Sequence, residues 1–534
     1  MEAADYIPRT AFFDHQARAF AASRRKFNFA LFMDPGTGKS KVVIDTAAYL
    51  YRANVINGFV ILAPDSVDAQ WLEQEIPKHL PHNIRTRIAG WESKGVRARR
   101  LCTELATRPV ANTLAILAMN HDALATKSGR TLLKQFLTTY RALLCVDEAH
   151  AIKTPRAMRT RWAISLGKLA RVRRILTGTP VTKTPFDLFA QFRFLDERII
   201  GFDSFLAFKH QYGDWTKEYV HRFDPKQQKT VLQEYETLAG FKNLPQLYAR
   251  IDRYIFRQRK EDCLDLPPKI YSIIPVSLSA AQLALYTQIK EGGVLLLDKA
   301  ARGERITALD LESLSVDGDE ESELLQRLQD PTMRLTAQIK LVTLIRCRQI
   351  VGGFLITDAR ETLCIDGSPV KCPRLRAALA WLDGALQGEG KIIVWARFRA
   401  EMQALQLLMA HDNVETALIN SGTSQAARKT AIARFKDRRD DLRVLITHEQ
   451  SMGVGMDFNM CSSMLFYSGS YSYYQRAQAE DRAHRIGQRG TVSITDLHAK
   501  EVEIDRTMAD ARAKAQGFKD DFMRWTAQDL QTRL

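Results

Sequence analysis

The chain has 534 residues, enough for about three or four domain-sized units and a large apolar core. Its apolar fraction of 46% and charged fraction of 26% are those of a globular protein, and no apolar run approaches the ~18 residues that span a bilayer. The net charge of +16 fits either a basic surface or a polyanion partner, with basic clusters at Ser23–Lys26, Arg97–Arg100, Arg171–Arg174 and Arg257–Lys260.

The opening MEAADYIPRT carries no basic-then-apolar leader pattern. The first predicted unit is a strand, a turn and a helix written ALFMDPGTGKSKVVID. Its Gly36, Thr37, Gly38, Lys39 and Ser40 form a tight turn in which glycines let backbone N–H groups approach phosphate oxygens, at a helix N-terminus that favours anions. Lys39 suits the β- and γ-phosphates, and Ser40 suits Mg²⁺. The full phosphate-loop pattern fails at its first position, Met33, and the plainer alternative is a glycine turn before a helix.

Apolar runs follow at Phe59–Ala63, Leu114–Ala118, Ala142–Val146 and Arg174–Leu176. They do not alternate, which predicts strands buried on both faces of a parallel sheet, with helical crossovers between them. The third run leads into Asp147-Glu148-Ala149-His150. An acidic pair at the C-terminal end of a strand lies where α/β sheets bind ligands. Asp147 suits Mg²⁺ through water, and Glu148 suits orienting and deprotonating an attacking water. A solvated acidic loop is the alternative, but it would not predict a phosphate loop upstream. RILTGTPVTKTP then sets Thr177, Gly178, Thr179 and Pro180 in a polar loop that, alone, is a turn and nothing more.

Residues 200–260 and 280–350 carry helical patterns, and the acidic stretch Asp310–Asp330 reads as an exposed loop leading into helix. A second strand group comprises Lys391–Trp395, Thr416–Ile419, Arg443–Ile446, Met464–Tyr467 and Val492–Leu497. QAEDRAHRIGQRG contributes Gln478, Arg482, His484, Arg485 and Gln488. Arg482 and Arg485 stand at i, i+3 and so share a helix face, either reaching a γ-phosphate across a cleft or lying on solvent. The tail reads as an amphipathic helix with Ile504, Met508, Ala511 and Ala515 on one face. Seven scattered cysteines without a C-x-x-C pair argue against structural zinc and for reduced thiols.

In this order the motifs MDPGTGKS, DEAH, LTGTP, KIIVWARF, INSGTSQAARKTAIARF, SMGVGMDF and QAEDRAHRIGQ resemble the superfamily-two helicase motor, and within it the Swi/Snf-type DNA translocase ATPases. ILAPDSVDAQWLEQEIPKHL, with Trp71, resembles the family's segment after the first helix, and FRQRKEDCLDLPPKI its interlobe linker. The resemblance covers about residues 10–500. It implies an α/β fold of two RecA-like parallel-sheet lobes with helical insertions between them. The expected divisions are lobe 1 at 1–198, protrusions and linker at 199–365, lobe 2 at 366–500 and a C-terminal helical segment at 501–534. It implies ATP and Mg²⁺ in the interlobe cleft, an adenine contact at Gln16, catalytic roles for Asp147, Glu148, Gln478, Arg482 and Arg485, and coupling or DNA contacts at His150, Thr177, Thr179, Gly422, Thr423, Gly455 and Asp457. The implied activity is ATP-driven translocation on duplex DNA by a monomer with no membrane association. The rivals are a strand-separating helicase, a remodeller of protein–nucleic-acid complexes and a non-catalytic DNA-binding scaffold.

Met452 and Asp457 stand where the family usually has glycine and asparagine, and Arg257-Gln258-Arg259 is not its usual adjacent arginine pair. Without a chromatin-reading module, zinc finger or nuclease motif, the chain looks like a compact prokaryotic or phage member. That implies the cytoplasm, or the nucleus in a eukaryote.

Overall fold

A computed structural model describes residues 6–65, 67–91, 95–224, 229–301, 342–356, 362–449 and 457–524. The stretch Asp310–Asp330, Met452 and Gly455 lie outside the described residues.

An apolar run that offers no polar face must be covered on both sides, and the chain does this twice. The first lobe contains β1 (Asn28–Met33), β2 (Gly58–Ala63), β3 (Thr86–Gly90), β4 (Leu114–Asn120), β5 (Ala142–Val146) and β6 (Val172–Thr177). After a ribbon of β7 (Gly213–Asp224) and β8 (Lys229–Phe241), β9 (Ile255–Gln258) returns to the same sheet. The strand order is β3-β4-β2-β5-β6-β1-β9, with every pairing parallel. Alternate residues feed opposite cores. Phe32, Leu62, Leu144 and Ile175 point to one, while Leu31, Ile61, Leu143 and Leu176 point to the other.

The second lobe begins at β10 (Lys269–Val276). A short hairpin of β11 (Phe354–Ile356) and β12 (Thr362–Cys364) precedes β13 (Lys391–Trp395), β14 (Thr416–Ile419), β15 (Val444–Thr447), β16 (Cys461–Phe466) and β17 (Val492–Ala499). Here the order is β10-β17-β16-β13-β15-β14, again all parallel. Strand membership therefore places the passage between the sheets at residues 259–268, inside the segment read from sequence as protrusion and linker. That segment is also less helical than its pattern predicts, because β7 and β8 occupy 213–224 and 229–241.

The last helix, Ile504–Arg524, starts on lobe 2 and ends in the apolar core of lobe 1, where Phe522 and Met523 are buried. Ala511, expected on its packed face, is exposed, and the face continues instead through Ala515, Lys519 and Phe522. Two of the four basic clusters are structural. Arg174 is fully buried and caps chain carbonyls of Ser23, Lys26 and Phe27 at 2.8, 2.6 and 3.0 Å. Arg257 pairs with Asp252 at 2.6 Å, and Lys260 with Asp481 at 2.7 Å. Arg97 and Arg100 remain exposed. Among the described residues, no helix is long and apolar enough to cross a membrane.

Candidate functional site: a phosphate-loop cavity between two lobes

The phosphate loop leaves β1 at Met33 and enters the helix Lys39–Arg52. Gly36 and Gly38 have φ of 84° and 86°, a region that disfavours side chains. A Cβ on Gly38 would also stand 2.3 Å from Gln16 Nε2, so a larger residue there would have to displace the Gln16 side chain as well as bear the strained backbone. Lys39 Nζ donates to the Met33 carbonyl at 2.8 Å. This explains why methionine is tolerated where the sequence pattern wants glycine: the Met33 side chain is in the core, and only its carbonyl addresses the loop. The Thr37 carbonyl accepts from Gln16 Nε2 at 3.1 Å and lies 2.8 Å from His15 Nε2.

The acidic pair stands at the end of β5. Asp147 Oδ1 accepts from the Glu148 backbone N–H, and Oδ2 from the Trp71 indole, both at 2.9 Å. Trp71 is 1% exposed and opens a π-helical turn, Trp71–Glu75, a geometry that recurs at functional sites. The Asp147 carbonyl faces His121 Nε2 at 2.9 Å, so that nitrogen carries the proton; burial lowers the His121 pKa to about 4 and keeps the ring neutral. Burial and the charge of Glu148 push the Asp147 carboxyl up to about 6. Burial also acts to raise Glu148, but His150, Lys39 and Thr177 outweigh it and hold this carboxyl below its usual range. Glu148 has φ 48° and ψ 56°, a left-handed conformation costing about 1–3 kcal/mol in a residue with a side chain, which places strain at the pair itself. Its Oε2 lies 3.3 Å from both Thr177 Oγ1 and His150 Nδ1. The Thr179 N–H donates to Thr177 Oγ1 at 3.0 Å, which ties the threonine loop to the acidic pair.

Lobe 2 closes the cavity. Gln16, Gly36, Gly38, Lys39, Ser40, Trp71, Asp147 and Glu148 line it together with Asp457 and Arg485, around a volume of about 520 Å³. Arg485 Cγ comes within 3.7 Å of where a Cβ on Gly36 would lie, and its guanidinium pairs with Asp457. The expectation of a shared helix face for Arg482 and Arg485 is corrected. The helix Tyr473–Glu480 ends before both, and the following turns send them apart. Arg485 reaches the cavity, whereas Arg482 is 2% exposed and does not line it. Gln478 lines a second interlobe cleft of about 850 Å³, on the far side of Glu148, with Gly178, Thr179 and Tyr474. Thr179 is buried, so it belongs to this inner cleft and not to an outer face. Gly422 and Thr423 sit in the loop after β14, held by Asn420 and away from either cleft.

The sequence carries no signal for His15, His121 and Tyr474, and Trp71 is visible in it only through the family resemblance. Each acts through a partner remote in the chain, for which one sequence carries no signal.

The residues fit a nucleoside triphosphate: a glycine cradle, a lysine and an opposing arginine converge on one cavity. Ser40 and Asp147, oxygen donors of the kind a hard cation takes, both line the cavity. Two parallel sheets sharing such a cavity define a two-lobed phosphate-loop protein. Residues 16–322 match the SNF2-related domain and residues 374–487 the helicase conserved C-terminal domain, and the chain belongs to the SNF2-related family. It is 24% identical over 469 residues to SWI/SNF chromatin-remodeling complex subunit snf22 of Schizosaccharomyces pombe, covering 86% of this chain and 25% of that protein. It is 25% identical over 478 residues to the Caenorhabditis elegans homolog of SWI/SNF-related matrix-associated actin-dependent regulator of chromatin subfamily A-like protein 1, covering 88% and 56%. With human DNA annealing helicase and endonuclease ZRANB3 the figures are 25% identity over 444 residues, 82% and 34%. The chain thus spans between a quarter and somewhat over half of these curated relatives. Among solved structures, the Sulfolobus solfataricus SWI2/SNF2 ATPase core in complex with dsDNA is similar, with 20% identity, coverage of 98% and 97%, and a TM-score of 0.38.

Proposed function

We propose that this chain is a Mg²⁺-dependent ATPase that couples hydrolysis to translocation along duplex DNA, acting as a single chain. The observation that carries the proposal is the convergence of Lys39, Asp147 and Glu148 from one lobe with Arg485 from the other on a single cavity. Lys39 and the loop N–H groups hold phosphates, and Gln16 reads the adenine edge. Glu148, fixed by Thr177 and His150, orients the attacking water and takes its proton. Ser40 and Asp147 would hold Mg²⁺, which supplies charge neutralisation on the phosphates. Arg485 stabilises charge developing at the γ-phosphate only when the lobes are together, so hydrolysis depends on closure. A cycle of closing and opening is what moves one lobe against the other along a track. The net charge of +16 and the exposed Arg97 and Arg100 support a polyanionic track, and the Gly422–Thr423 loop is a candidate contact to it.

The test is steady-state ATPase titrated separately with duplex DNA, single-stranded DNA and RNA, with triplex displacement beside forked-duplex unwinding. Duplex-stimulated hydrolysis and triplex displacement without unwinding are expected. Glu148→Gln is expected to lower turnover at least about 10²-fold while nucleotide binding persists. A Glu148→Gln protein that hydrolyses at the wild-type rate would remove the motor reading, and unwinding without triplex displacement would favour strand separation.

A further inference from the structure

Tyr474 lies on the lobe-2 helix Tyr473–Glu480, one turn before Gln478. Its ring packs against the ring of His150 on lobe 1, with centroids 3.8 Å apart and planes inclined at 47°. His150 Nδ1 stands 3.3 Å from Glu148 Oε2. On the other side, Gln478 Nε2 donates to the Tyr474 hydroxyl. The contacts therefore run unbroken from Glu148 through His150 and Tyr474 to Gln478, and the chain reaches Arg485 seven residues later. Neither His150 nor Tyr474 belongs to the apolar cores of the two lobes. Tyr474 instead lines the polar cleft beside Glu148, Gly178 and Thr179. A ring pair between the lobes is made only when they stand this close, so it would favour the closed arrangement over an open one, which is the requirement for coupling. Burial, followed by the charge of Glu148, pushes the Tyr474 phenol well above its usual range, so the hydroxyl stays protonated and able to donate or accept.

We infer that Tyr474 is a positioning residue whose ring, against His150, ties Glu148 on lobe 1 to the Gln478–Arg485 segment of lobe 2. This rests on the ATPase reading of the same cavity. When the lobes close, the ring pair fixes the arginine segment relative to Glu148. When they part, the pair breaks and the arginine segment is no longer held relative to Glu148.

The test compares the full chain with Tyr474→Phe, Tyr474→Ala, His150→Ala and the Tyr474→Ala/His150→Ala pair. Each is measured for kcat and KM, for affinity of a fluorescent ADP, and for nucleotide-induced closure by energy transfer between dyes on the two lobes. Tyr474→Ala is expected to lower kcat about tenfold, within the usual size of couplings between sites, and to leave KM and ADP affinity within about twofold. His150→Ala should act alike, and the double variant should be no slower than the slower single one. Tyr474→Phe, which keeps the ring, should stay within about threefold of wild type and close normally, whereas Tyr474→Ala should close less. Multiplicative losses in the double variant, a Phe variant as impaired as the Ala variant, or equal losses in kcat and ADP affinity would each overturn the inference. A wild type without ATPase activity would defeat the functional reading alone, since the closure measurement still decides the role of Tyr474.

Discussion

At the scale of single residues, the site depends on how one buried carboxylate is held. Asp147 uses one oxygen for its neighbour's N–H and the other for Trp71. Burial and the charge of Glu148 set its pKa to about 6, and the Trp71 bond works against that rise. The proposed reaction needs the ionised carboxylate, so activity should have an acid limb, which lies near 6 only where Mg²⁺ is scarce and moves to lower pH as the cation fills the site. Stability runs the opposite way. The folded state binds this proton more tightly than the unfolded chain, so ionising Asp147 costs stability as pH rises between about 4 and 6. Trp71→Phe keeps the ring and removes the donor. It should carry the acid limb of the pH–kcat profile to higher pH and cost about 1.5–3 kcal/mol, the usual worth of a hydrogen bond to a charged group. An acid limb that stays in place would show that the indole does not tune Asp147. Lys39, Asp147, Glu148 and Arg485 were legible in the sequence because their chemistry demands those residue types at fixed spacing. The Trp71 bond was not, since it joins positions 76 residues apart.

Among elements, legibility follows burial. The strands around the cavity declare themselves because both faces are covered and the run is continuously apolar. The β7–β8 ribbon stays hidden because polar residues such as Thr216, Lys217, Glu218, Glu234 and Glu236 line its exposed part and give no alternation to read. The final helix shows the intermediate case. Its periodicity is visible, but what it packs on is not. Phe522 is fully buried against Phe32 of β1 and Tyr248, at ring separations of 5.7 and 5.1 Å, and Arg257 stacks over it at 4.6 Å. Because β1 carries the phosphate loop, this contact sits directly behind the site. Phe522→Ala should cost about 3–5 kcal/mol through the cavity it leaves. A two-lobed chain need not unfold in one step, so the sensitive measurement is hydrogen exchange at residues 28–33, expected to accelerate together with a lower Tm. Unchanged protection there would mean the helix does not support β1.

For the molecule as a whole, the question is what registers one lobe against the other, and beside the packing of the final helix part of the answer is ionic. Lys260, in the passage between the sheets, donates its backbone N–H to Asp34 Oδ2 at 3.0 Å and its ammonium to Asp481 Oδ1 at 2.7 Å. Asp34 stands two residues before Gly36, and its other oxygen takes Lys519 of the final helix at 2.8 Å. The Asp481 carbonyl accepts from Arg485 Nε at 2.9 Å. The base of the phosphate loop and the segment bearing Arg485 are thus held by one linker residue. No sequence pattern announces this, because lysine and aspartate 221 positions apart carry no spacing rule. Burial would raise the Asp481 carboxyl, but Lys260 and Lys269 outweigh it and hold it far below its usual range. A depressed folded pKa gives stability that is complete above the unfolded value of about 3.9 and is lost as pH falls toward the folded one. Asp481→Asn removes that charge and leaves two largely buried ammonium groups without it. Breaking one side of such a pair costs about 3–5 kcal/mol in a dry interior, and the partial exposure here argues for the lower end. The variant should therefore unfold at lower denaturant at neutral pH, and its deficit against wild type should narrow as pH falls below about 4. A deficit that stays constant across that range would show that the ion pairs carry no lobe registration, and that packing alone sets it.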